Sequence, residues 1–234
     1  MSFFPPLTPA LKYLVIITSA VFVATFLPYY FFHWEAPFVW LGLTPYLVTH
    51  KAYLWQPFTY LFLHGGLMHI LFNLFALWMF GSDLERTWGS RQFLFYFFLC
   101  GVGAAIFDVL MQPSATIPTI GNSGAVYGVL VAFALLFPNR PIFIWFVIPV
   151  KAKWFVLVMC VMEFILSLGS PGSGISHIAH VGGILIGLIY LRGGGFWYRW
   201  QLGYNEWRRA RLRKKFEIYM RKHEQKDDSG RWIN

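Results

Sequence analysis

Six apolar stretches run through this chain, and nearly all of its Lys and Arg residues fall at alternate connections between them or beyond their two ends. The stretches are about residues 11–30, 67–81, 92–111, 122–137, 152–168 and 175–191. Apolar runs of about 17–25 residues cross a bilayer as helices. Of 19 Lys and Arg, only Lys51 lies in the first, third or fifth connection. Arg86 and Arg91 flank the second, Arg140, Lys151 and Lys153 flank the fourth, and twelve lie from Arg192 onward. Positive charge collects on the cytoplasmic side, so the pattern predicts six spans with both termini cytoplasmic. Composition agrees: 57% of the 234 residues are hydrophobic and 12% charged, against about 25% charged in soluble domains. The expected fold class is an all-α, multi-pass membrane protein, which excludes a soluble globular domain.

The connections are informative. Lys12 precedes the first run, and Pro28 with its aromatic neighbours follows where a cleavable signal would carry small residues, so the first helix is expected to be retained. Residues 31–66 are too apolar for a solvated loop and too broken by Pro for a straight span. An interfacial segment fits, in keeping with an aromatic content of 21%. Residues 142–150 are short, contain Pro149, and are also placed in the interface. Cys100 and Cys160 lie inside apolar runs and read as small hydrophobes, not as a disulfide or a metal site. The expected division is a six-helix membrane core over 1–192 and a basic cytoplasmic tail over 193–234. The net charge of +9 is concentrated in that tail. Residues 205–222 read either as a basic amphipathic helix attracted to anionic membrane lipid or as a solvated helix with no partner. Nucleic-acid binding is not expected of a segment tethered to a membrane.

Polar residues cluster in the outer half of three spans. Ser123 sits at the mouth of the fourth, after Pro118 and Gly121, where the first turn leaves backbone N–H groups without intrahelical partners. A hydroxyl beside free donors suits acyl transfer. The other reading of the same stretch is close packing, because Gly124 and Gly128 form a small-xxx-small pair. On the sixth span His180, Gly183 and Gly187 share one face, and on the fourth Ser123 and Tyr127 do. If those faces meet, His180 is the base for Ser123 and Tyr127 packs on its ring. His69 and Asn73, one turn apart on the second span, can both donate to one point, as an oxyanion requires. An interhelical hydrogen bond is the alternative. His64 cannot share the His69 face and is expected to brace the preceding loop. Asp108 and Glu163 match no spacing that would complete a triad. Each is expected to be a structural hydrogen-bonding group, leaving a Ser–His dyad.

Three blocks now stand in order. They are His64-Gly-Gly-Leu-Met-His69-Ile-Leu-Phe-Asn73, then Gly121-Asn-Ser123-Gly124, then Ala179-His180 with Gly183 and Gly187. Together they resemble the signature of the rhomboid family of intramembrane serine proteases, over about residues 45–192. The resemblance implies a six-helix rhomboid-like bundle with Ser123 as nucleophile and His180 as base. It implies an oxyanion hole of His69, Asn73 and the Ser123 N–H, and cleavage of transmembrane segments of other membrane proteins near their outer end. It implies no cofactor and no metal. The supporting positions are His64, Gly121, Gly124, Tyr127, Gly183 and Gly187. A bacterial-type cell (inner) membrane is the expected location.

Two departures are visible. Trp55 is followed by Gln56 where many members have Arg, and Glu85 by Arg86 and Thr87 where many have Glu-x-Arg. Both concern packing and not the chemistry. A channel or transporter is a weaker reading, because no internal repeat is visible. A catalytically silent rhomboid-like binder of transmembrane helices is the main rival. The loop over 169–174 and the adjoining end of the fifth helix are expected to move to admit a substrate helix.

Overall fold

Pro9 opens the first helix, α1 (Pro9–Phe32). Its fixed φ suits a first turn, and its missing N–H would have had no helical partner there. In the computed structural model, residues 6–144, 147–169, 176–193, 209 and 211–220 are described. The N–H groups of Ala10 and Leu11 donate to the Glu85 carboxylate at 2.8 and 3.1 Å. The Thr8 and Ser90 hydroxyls donate to it as well. A carboxylate at a helix N-terminus satisfies orphan donors and complements the helix dipole. Glu85, one residue of the departing sequence noted above, therefore fixes where α1 begins.

The segment after α1 folds into short pieces: α2 (Ala36–Leu41), α3 (Pro45–Lys51), α4 (Gln56–Thr59) and a 3₁₀ turn, Tyr60–Phe62. Proline stands in the first turn of each of the three helices. Gln56 is fully buried and serves as the brace. Its Oε1 accepts the Thr44 N–H at 2.9 Å and its Nε2 donates to the Val39 carbonyl at 3.1 Å. A neutral amide has both the donor and the acceptor these backbone groups need.

The longer helices follow: α5 (Leu67–Trp88), α6 (Ser90–Met111) and α7 (Ser123–Leu136). The second span was expected to stop near Gly81, but α5 continues to Trp88. Gly81 is a packing position, because a Cβ there would lie 3.0 Å from Phe93 Cζ. The stop is Gly89, at φ +84°.

Beyond α7 the expectation of an all-α fold is corrected. Pro141–Ile144 (β1) and Ile148–Lys151 (β2) pair antiparallel, Pro141 opposite Lys151 and Ile144 opposite Ile148. β-Branched residues, with Pro141 opening β1 and Pro149 within the edge strand β2, favour a short extended ribbon over a helix. Helices α8 (Ala152–Gly169) and α9 (His177–Gly193) complete the series. Ser176 caps α9 by accepting the Ala179 N–H at 3.1 Å.

Helices α1, α5, α6 and α8 are long and apolar enough to cross a membrane, whereas α7 and α9 are shorter apolar helices. The chain divides into two compact units, Met1–Ile189 and Tyr190–Asn234. In the first, the core gathers Leu11, Leu43, Tyr60, Leu77, Phe93 and Tyr96, all fully buried. Large apolar side chains such as Phe72, Leu110 and Phe164 point outward, as lipid-facing positions do. In the second unit, residues 211–220 are helical and exposed throughout.

Candidate active site

Ser123 is the first residue of α7, and the preceding Asn122 makes no side-chain capping bond. The opening N–H groups of α7 therefore have no side-chain partner. Gly121 delivers the chain to this point at φ +107°, a conformation glycine tolerates. A Cβ at Gly121 would come within 2.7 Å of His69 Nε2 and 3.9 Å of Asn73 Nδ2. The missing side chain thus lets both α5 residues lie over the backbone just ahead of the serine. Asn73 Nδ2 donates one proton to the His69 carbonyl at 3.0 Å, leaving its second N–H.

The approach to Ser123 is anchored on two sides. Thr119 exchanges both backbone hydrogen bonds with Leu43, at 2.8 and 2.9 Å, and the Gly121 N–H donates to the Tyr60 carbonyl at 2.9 Å. Asp108 accepts from the Thr119 hydroxyl at 2.9 Å and from the Ser176 hydroxyl at 3.1 Å. One carboxylate on α6 thereby fixes both the strand leading into α7 and the cap of α9.

Helices α7 and α9 meet backbone to backbone. A Cβ at Gly183 would fall 1.9 Å from the Gly124 carbonyl oxygen, and one at Gly187 would fall 3.3 Å from Gly128 Cα. Neither position has room for a side chain. This close approach brings His180 Nε2 to 2.6 Å from Ser123 Oγ. The Tyr127 ring lies against the imidazole, centroids 4.7 Å apart and tilted by 32°.

His64 is fully buried and meets the His69 ring edge-on at 4.9 Å. Its Nδ1 faces the Phe62 carbonyl at 3.4 Å. Burial, reinforced by the neighbouring His69, lowers its pKa to about 4.

Glu163 was expected to be a structural hydrogen-bonding group, but its link to His180 was not read from the sequence. Glu163 of α8 is buried, and its Oε2 lies 2.9 Å from His180 Nδ1 and 2.7 Å from His177 Nδ1. The Tyr127 hydroxyl donates to its other oxygen. The available signal was a lone carboxylate inside an apolar run, where burial is costly. Among the described residues, Glu163, His177 and His180 also form the one grouping with metal-ligand atoms, within 4.8 Å of one another. Hydrogen bonds account for this spacing, because both ring contacts are at donor–acceptor distance from a single oxygen. Residues 170–174, expected to form a moving loop, lie outside the described set.

A Rhomboid domain profile matches residues 51–194. The chain belongs to the rhomboid family. It is 28% identical to "Rhomboid protein 1, mitochondrial" of Saccharomyces cerevisiae, over 67% of this chain and 47% of that protein. It is 30% identical to Rhomboid protease GluP of Bacillus subtilis, over 58% of this chain and 25% of the relative. It is 28% identical to Rhomboid protease GlpG of Salmonella paratyphi A, over 64% of this chain and 51% of the relative. This rhomboid thus spans about half or less of the length of these curated relatives. Its matched segment contains Ser123, Glu163, His177 and His180 together with the α5 residues His69 and Asn73.

Proposed function

We propose that this chain is an intramembrane serine endopeptidase that cleaves transmembrane segments of other membrane proteins near the outer face. The observation that carries the reading is the 2.6 Å contact of His180 Nε2 with Ser123 Oγ at the uncapped start of α7. In the reaction Ser123 Oγ attacks the scissile carbonyl and its proton passes to His180 Nε2. The oxyanion is received by the Ser123 N–H, His69 and Asn73. His180 then protonates the leaving amine, and water deprotonated by the same ring releases the acyl group. No cofactor enters these steps.

The bilayer reading is six spans, with α7 and α9 as the two short ones and both termini cytoplasmic. A 14-residue α7 covers about 21 Å at 1.5 Å per residue, short of the ~30 Å hydrocarbon layer. With that shortfall at the outer end, Ser123 would lie in a recess below the outer surface. Residues 1–192 act as the protease core, and the basic tail over 193–234 lies against anionic lipid. A bacterial-type inner membrane suits the charge pattern.

The test uses the purified full chain in detergent with a single-span substrate, in wild type, Ser123→Ala and His180→Ala. Cleavage and fluorophosphonate labelling by wild type alone are expected, with losses of at least about 10⁴-fold in the variants. A wild type that neither cleaves nor labels favours the second reading, a silent binder of transmembrane helices. The apolar outer surface is compatible with that role.

A further inference from the structure

We propose that Glu163 is a positioning residue for His180, fixing which ring nitrogen carries the proton and the angle at which the ring meets Ser123. The inference rests on the protease reading above and extends its Ser–His pair by a third group.

An ionised carboxylate can only accept hydrogen bonds. The His180 nitrogen 2.9 Å from Glu163 Oε2 must therefore carry its hydrogen on Nδ1. In a neutral imidazole that leaves a lone pair at Nε2, the atom 2.6 Å from Ser123 Oγ. The ring is thus held in the tautomer able to take the serine proton. Three donors from two helices converge on this one carboxylate: His177 and His180 of α9 and Tyr127 of α7. The same Tyr127 lies tilted against the imidazole, so its two contacts hold the carboxylate and the ring in register. When the proton moves from Ser123 Oγ to His180 Nε2, the ring becomes a cation beside a carboxylate that keeps its charge and takes no proton. A carboxylate so placed stabilises the imidazolium and orients it.

Glu163 also ties α8 to its neighbours, and a purely structural role would spare the chemistry once the protein is folded. The test separates the two. The full chain, with ¹⁵N-labelled histidine, is prepared as wild type, Glu163→Gln and Glu163→Asp, and thermal unfolding confirms that each is folded. The Gln side chain keeps the volume but has a single acceptor oxygen for three donors. Fluorophosphonate labelling of Ser123 is expected to slow by about 10- to 100-fold in Glu163→Gln. For a single-span substrate, kcat falls by a similar factor while KM stays within about twofold. Glu163→Asp recovers part of the labelling rate. At pH 8 the wild-type His180 resonances, assigned by their loss in His180→Ala, report Nδ1–H and bare Nε2, and Glu163→Gln adds the other tautomer. A folded Glu163→Gln that labels within twofold of wild type overturns the proposal. So does a wild-type His180 protonated on Nε2, a result that needs no turnover and stands even if Glu163→Gln fails to fold. Failure of the protease reading has a different sign, labelling that persists in Ser123→Ala or is absent from wild type. The tautomer measurement remains decisive in either case.

Discussion

Helices α7 and α8 both contribute to the site, and they are held in opposite ways. In α7 ten consecutive residues, Gly124–Phe133, are buried. Its backbone touches that of α9 through Gly124 and Gly128, and it packs on Cys100 and Ala104 of α6. In α8 only Ala152, Val156 and Glu163 are buried. Its first two turns are anchored by apolar contact, and its site end by hydrogen bonds to one carboxylate. The difference separates two requirements. In the proposed mechanism Ser123 and its N–H must be preorganised, and the helix that carries them is immobilised by shape. An outer wall facing lipid has no hydrophobic gain to make by packing inward, so it is joined by polar bonds.

The comparison can be broken at its tightest point. Gly183→Ala would drive a methyl group into the Gly124 carbonyl. It is expected to lower fluorophosphonate labelling by more than about 100-fold and to reduce thermal stability, because neither backbone can give way. Next in size is acid sensitivity at His64, beside His69 of α5. His64 is depressed to about 4 in the fold, so the unfolded chain binds more protons than the folded one between that value and about 6.5. Stability is therefore complete above about pH 6.5 and falls as pH drops toward 4. Unfolding followed against pH should show this slope, and His64→Gln should flatten it. Tyr127→Phe keeps the ring against His180 and removes one donor to Glu163. A loss of about 1 kcal/mol is expected, read as a roughly fivefold slower labelling rate. The smallest effect belongs to the lipid face of α8, where Phe164 and Ile165 are exposed. Phe164→Ala should leave labelling and unfolding within about 0.5 kcal/mol of wild type. A large effect there would mean that α8 is packed by shape after all.

These contrasts also explain what could be read in the residues alone. Local periodicity is visible in one dimension. The spacing of His180, Gly183 and Gly187 puts them on one face, and the structure packs that face on Gly124 and Gly128. The apolar runs mark the long helices within a few residues, except where Gly81 was read as a stop. The three blocks of polar residues bring the family into view, because each lies in order along the chain. Glu163 has no such signature. It stands on a different helix from all three of its partners, and its relation to His180 depends on a helix angle that no spacing encodes. Glu85 was hidden for the same reason, since its partners at the start of α1 lie 74 to 77 residues away. The hairpin over Pro141–Lys151 was obscured because a short apolar run with prolines does not distinguish a ribbon from an interfacial segment.

That distant carboxylate has a consequence for synthesis. Helix α1 is made before α5, and its opening amides find their partner only when Glu85 has been made. Until then the Ala10 and Leu11 amides lack their carboxylate partner. A nascent chain cut before residue 85 would keep the Ala10 and Leu11 amides open to solvent exchange, and one extended past α5 would close them. The start of α1 is in this sense completed only after four further helical segments have been made.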